Sequence, residues 1–83
     1  MSIIDGNALA GPLADVLGND PTTAVLRCSG CGSLRMVAFA RVVSTAMGSV
    51  ARCADCDTVL VTIVEDGRRR WIGMPGVRAV QLG

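Results

Sequence analysis

Two Cys-x-x-Cys pairs, Cys28/Cys31 and Cys53/Cys56, constrain this chain more than any other feature of it. They stand in the pattern C-x2-C-x21-C-x2-C, close to the spacing of a four-cysteine metal site. Two intervening residues let one tight turn aim both sulfurs at a common ion, while amide N–H groups of the turn hydrogen-bond the thiolates and spread their charge. The surroundings repeat as well. Val25 to Leu34 matches Val50 to Val59, each block reading as strand, Cys-x-x-Cys turn, strand. Gly32 follows the second cysteine of the first pair, where such a turn tends to need positive φ. Asp57 holds the matching place in the second block, and Asp tolerates that conformation better than most residues.

The metal also answers a problem of size. A chain of 83 residues forms one domain and buries a small fraction of its surface, so a staple is expected. Two disulfides would serve, but they need an oxidising compartment, and Met1 to Leu9 carries Asp5, no basic residue and no apolar stretch of the kind a secretory signal has. No apolar run approaches the roughly 20 residues of a spanning helix. These readings place the chain in the reducing cytoplasm, where paired cysteines act as metal ligands. The expectation is one structural Zn²⁺ per chain held by Cys28, Cys31, Cys53 and Cys56, with iron in a rubredoxin-like site and redox disulfides as the competing readings.

Charge and composition narrow the function. Eight basic residues, all Arg, face seven acidic ones, for a formal charge of +1. Four thiolates and one dication lower that by two, so the metal-loaded chain is mildly acidic and gains no general attraction to nucleic acid or anionic membrane. Enzymatic readings lack parts: there is no His, Lys or Tyr and only one Glu, and all four cysteines are committed to the site. Four thiolates also close the tetrahedron that a catalytic zinc keeps open. No catalytic residue is expected. Arg27 and Arg52, each just before a first cysteine, read as offsets to the negative metal site. Arg68-Arg69-Arg70 reads as a solvated hairpin end, since successive strand residues point to alternate faces.

Hydrophobic periodicity divides the chain into residues 1–20, an N-terminal helical arm, and 21–83, a β domain. Leu9, Leu13, Val16 and Leu17 recur at helical spacing, with Pro12 in the first turn, which predicts a short helix from about Gly11 to Leu17. Gly18 is its stop and Asn19-Asp20-Pro21 the linker. From Thr22 the period becomes two. Strands are expected over Thr22–Arg27, Leu34–Ser44, Ser49–Arg52, Thr58–Val64, Arg69–Met74 and, as an edge, Val77–Leu82. Met36, Ala38, Ala40 and Val42 would form one apolar face of the long second strand, and Val59, Val61 and Ile63 would point inward. Asp66-Gly67 predicts a hairpin with Glu65 facing Arg68 as a cross-strand ion pair.

Asp5 to Leu13, followed by Arg-Cys-x-x-Cys-Gly and Arg-Cys-x-x-Cys-Asp, resembles a family of small, uncharacterised actinobacterial proteins classed as a domain of unknown function. The resemblance covers nearly the whole chain. It implies a compact cytoplasmic zinc-ribbon-like protein, with the four cysteines as its functional positions, and it brings no activity. The expected fold is therefore a small β-rich zinc ribbon of antiparallel strands and two Cys-x-x-Cys knuckles, preceded by a short helix. The expected role is a non-enzymatic protein-interaction module or accessory subunit, against a nucleic-acid-associated ribbon or an iron electron carrier. Apolar residues make up 51% of the chain and aromatics 2%, namely Phe39 and Trp71, both expected in the core. That apolar content exceeds what one thin sheet hides, so a patch near Val77–Leu82 or the arm is expected to bind a second copy or another protein.

Overall fold

The computed structural model describes residues 2–18 and 20–82. Asn19, in the expected linker, and the side chain of Val16, in the expected helical stripe, lie outside the described part. Eight strands, all paired antiparallel, form two sheets. The larger has the order β1 (Ser2–Asp5), β4 (Arg41–Thr45), β5 (Gly48–Arg52), β6 (Val59–Asp66), β7 (Arg69–Gly73). The smaller runs β3 (Leu34–Met36), β2 (Val25–Cys28), β8 (Val77–Gln81). Short 3-10 turns occupy Gly6–Leu9, Pro21–Thr23 and Val37–Phe39, and one helix, α1, spans Ala10–Leu17.

The segment before α1 is not a free arm. Ser2–Asp5 adds a strand to the large sheet, with Ser2 opposite Ser44 and Asp5 opposite Arg41. α1 ends at Gly18, whose amide donates to the Ala14 carbonyl at 3.1 Å. Leu9 and Leu13 are 1% and 0% exposed and sit in the same buried cluster as Val42, Ala51, Val61 and Ile63, the inward row of the large sheet. Leu26, Val37 and Ala40 complete that cluster from the other side. The sheet alone has no second layer of its own, and these two leucines supply part of one.

Three sequence expectations are corrected. The long strand Leu34–Ser44 is broken by the 3-10 turn Val37–Phe39, because β3 belongs to the small sheet and β4 to the large one. The turn brings Val37 and Ala40, three apart, into the core together and leaves Met36 37% exposed. Thr22–Arg27 is likewise shorter as a strand, since Pro21–Thr23 is a 3-10 turn. In the β6–β7 hairpin the loop is Gly67-Arg68, so Glu65 faces Arg70, at 3.3 Å, rather than Arg68. Positive φ falls on Gly67 and not on Arg68, the pattern of a II′ turn.

Neither aromatic residue is in the core: Phe39 and Trp71 are each 55% exposed. On β7 the pleat turns Ile72 toward the core, and Trp71 must then point away. Phe39 occupies the turn position between two residues that go inward, Val37 and Ala40.

Candidate metal centre

Each Cys-x-x-Cys pair caps a hairpin, the first between β2 and β3 and the second between β5 and β6, so each sheet contributes one knuckle. The two knuckles have the same internal bonding. The Cys28 amide donates to the Ser33 carbonyl at 3.0 Å and the Gly32 amide to the Cys28 carbonyl at 2.9 Å. Likewise the Cys53 amide donates to the Thr58 carbonyl at 2.8 Å and the Asp57 amide to the Cys53 carbonyl at 2.9 Å. Gly32 and Asp57 stand at φ 77° and 66°, and Asp57 is the only non-glycine residue at positive φ among those described. That left-handed residue swings the chain back into the outgoing strand.

The four sulfurs converge. Cys28 Sγ lies 3.5 Å from Cys56 Sγ, Cys31 Sγ lies 3.8 Å from Cys53 Sγ, and all four fall within 4.8 Å of one another. A tetrahedron of four sulfurs at about 2.3 Å from a central ion has edges of about 3.8 Å, so the donor set fits a metal of that size. A disulfide needs sulfurs about 2.05 Å apart, and no cysteine is paired. Cys28 and Cys53, the first of each pair, are buried, whereas Cys31 and Cys56 are exposed. Leu26, Leu60 and Phe39 line the narrow apolar cleft beside the buried pair.

Hydrogen bonds grade the thiols. Amide N–H groups of Cys31 and Gly30 hold the Cys28 thiol down at about 6 against the opposing effect of its burial. Burial pushes Cys53 up, but the amides of Asp55 and Cys56, with the Ser33 hydroxyl, outweigh it and leave a net lowering. Cys56 goes the other way. The Thr58 hydroxyl and amide favour its thiolate, yet burial and the neighbouring Cys28 and Cys31 sulfurs raise it to about 11. A bound dication would turn all four into thiolates and release the protons.

Four contacts around the sulfurs were not legible as such in the sequence. Ser33 Oγ lies 3.2 Å from Cys31 Sγ, and Thr58 Oγ1 lies 3.0 Å from Cys56 Sγ. Both hydroxyls sit five residues after the first cysteine of their block, so the repeat itself carried the signal. Arg35 forms a two-pronged ion pair with Asp55, Nε to Oδ2 and Nη2 to Oδ1, each 2.8 Å. This pair ties β3 to the second knuckle, holds the Asp55 carboxyl below its ordinary range and raises the Arg35 guanidinium. Finally, the Ser29 amide donates to the Gly76 carbonyl at 2.8 Å, docking the β7–β8 turn on the first knuckle. The same turn presses on β6, for a Cβ on Gly76 would overlap the Val59 carbonyl oxygen.

Arg52 reaches back to Asp57, 3.7 Å from its carboxylate, and Arg27 is exposed opposite Leu34 and Ala79. Arg35, held by Asp55, lies close enough to Cys53 and Cys31 for their charge to raise its guanidinium.

The sequence profile of a family of unknown function, DUF6510, matches residues 1–83. The chain belongs to this family. No curated protein and no solved structure matches it. Within this DUF6510 chain the cysteine cluster is the feature that chemistry can act on, and no described helix is long and apolar enough to cross a membrane.

The paired hydroxyls give a graded test of the site. Thr58→Val is expected to lower metal affinity about 10-fold, the low end for loss of a group that hydrogen-bonds a ligand. Thr58→Ser should restore it. Competition against a chromophoric chelator measures both. An unchanged affinity in Thr58→Val would show that the hydroxyl is a bystander.

Proposed function

We propose that the four cysteines hold one structural Zn²⁺ and that this DUF6510 chain is a zinc-ribbon protein, acting as a non-enzymatic protein-interaction module or accessory subunit in the cytoplasm. The observation that carries the zinc reading is the convergence of two knuckles with identical hydrogen bonding on one set of four sulfurs. Four thiolates at tetrahedral spacing suit zinc and leave it no open position for a substrate or a reactive water. The absence of His, Lys and Tyr from the chain supports a role without catalysis. Unpaired thiols at this spacing are also what a reducing compartment maintains.

The interaction reading draws on exposed apolar side chains: Leu34, Met36, Phe39, Met47, Val64, Trp71 and Leu82 are all solvent-facing in this small protein. A nucleic-acid surface gains less support. Arg35, Arg52 and Arg70 are engaged with Asp55, Asp57 and Glu65, and the remaining arginines are spread over both sheets.

Elemental analysis of protein purified from its own source tests the metal. One zinc per chain and a colourless solution are expected. Iron at one per chain, with a visible band that bleaches reversibly on reduction, would replace this reading with electron transfer.

A further inference from the structure

Each knuckle turns one sulfur to solvent and keeps one inside: Cys31 and Cys56 are exposed, Cys28 and Cys53 buried. Across the site the two kinds stand in pairs. The exposed Cys56 Sγ lies 3.5 Å from the buried Cys28 Sγ, and the exposed Cys31 Sγ lies 3.8 Å from the buried Cys53 Sγ. An oxidant in solution therefore meets Cys31 or Cys56 first, and a second sulfur, on the other knuckle, already stands beside the one it oxidises. Closing either pair to a bond of about 2.05 Å needs a movement of less than about 2 Å. Two pairs use all four cysteines and leave none over. Zinc has no redox chemistry of its own, so at such a site only the sulfurs can be oxidised, and a sulfur taken into a disulfide is no longer the thiolate that binds metal.

We propose that the metal centre is a redox switch, in which a peroxide converts the four thiolates into the disulfides Cys28–Cys56 and Cys31–Cys53 and Zn²⁺ leaves. The switch rests on the zinc reading of the same site. First, an exposed thiolate takes one oxygen from the peroxide, becoming a sulfenic acid as the O–O bond breaks and hydroxide departs. Next, the buried thiolate of the facing knuckle attacks that sulfur, so that an S–S bond forms, the S–O bond breaks and a second hydroxide leaves. Two peroxides are reduced per site by the four electrons that the sulfurs give up. In a reducing compartment the metal-loaded thiolates are the resting form, and a rise in peroxide is the signal. The pairing decides what happens to the fold. Both disulfides cross from one sheet's knuckle to the other's, so the oxidised chain exchanges a metal staple for two covalent ones. Disulfides within each knuckle would instead close two separate hairpins and leave the sheets untied.

The full chain, loaded with one Zn²⁺ and treated with hydrogen peroxide beside a chromophoric chelator, tests the switch. One Zn²⁺ should be released for every two peroxides consumed, with loss of all four thiols. Trypsin without reductant then reads the pairing. Cleavage after Arg27, Arg35, Arg52 and Arg68 places Cys28 and Cys31 in peptide 28–35 and Cys53 and Cys56 in peptide 53–68. Mass spectrometry should find these two peptides joined, whereas disulfides within knuckles leave them apart and overturn the pairing. In Cys31→Ser, peroxide should join Cys28 to Cys56 and leave Cys53 open to alkylation; a Cys28–Cys53 link there overturns it too. The oxidised, metal-free chain should keep its β-sheet circular dichroism, and dithiothreitol with added Zn²⁺ should restore both thiols and metal. Sulfinic acids that resist this reduction overturn the switch. Zinc and thiols that survive millimolar peroxide also overturn it while leaving the zinc reading intact, and a chain that takes up no zinc overturns both.

Discussion

Stripping the metal with a chelator, or replacing Cys28 or Cys53 by serine, is expected to unfold the chain. The two knuckles belong to different sheets, and the ion would be the strongest link between them. Beside the cysteines the sheets are also joined by the Arg35–Asp55 pair, the Ser33–Cys53 contact at 3.7 Å, the Ser29–Gly76 hydrogen bond and the apolar cleft shared by Leu26 and Leu60. A structural zinc contributes on the order of 10–16 kcal/mol, as much as the whole stability of a typical domain, about 5–15 kcal/mol. Cys28→Ser and Cys53→Ser should be the more damaging pair, since each leaves a hydroxyl in a buried place lined by Leu26 and Leu60. Cys31→Ser and Cys56→Ser act at the exposed side and should weaken metal binding while three sulfurs still hold the ion, so that structure is retained in part. Circular dichroism during chelator titration, read beside elemental analysis, decides it. A metal-free chain that keeps its β-sheet spectrum and its melting temperature would show that the core stands unaided.

The second large effect lies far from the cysteines. Leu13→Ala is expected to cost about 3 kcal/mol, and Leu9→Ala combined with Leu13→Ala about 6 kcal/mol. Both side chains are at most 1% exposed and belong to the same buried cluster as Val42, Val61 and Ile63, so truncation leaves cavities in a close-packed interior. Against a total of about 5–15 kcal/mol the double variant should be largely unfolded. Leu82→Ala, at a residue 60% exposed, should change stability by less than about 0.5 kcal/mol. Urea unfolding of the metal-loaded protein measures all three. Were Leu13→Ala as mild as Leu82→Ala, the N-terminal segment would be a loosely attached arm after all.

Much of the site is readable in the chain because its geometry is local. Two residues between cysteines and a left-handed residue four places after the first shape a knuckle from its own neighbours in the chain. The duplication of that block is visible in the letters themselves. Alternation in Thr58–Val64 is local in the same way, and Val61 and Ile63 are buried as the period of two requires. Leu60 joins them because the β5–β6 register shifts between Ala51 and Arg52, an irregularity that no pattern of letters announces.

By itself, then, the sequence determined the four converging sulfurs, the hairpins that carry them, and the alternation along β6. Tertiary structure alone decided that Leu34–Ser44 is shared between two sheets, that Arg35 pairs with Asp55 beside the sulfurs, and that Ser2–Asp5 is a strand. It also decided that Trp71 faces outward. The physical reason is common to these cases: a strand's period states which residues share a face, but only the second layer packed against it, here Leu9, Leu13 and Val37, chooses the face that is buried. Ile72 took the inward place on β7, and Trp71 was left on the side where Gly48 opens a groove.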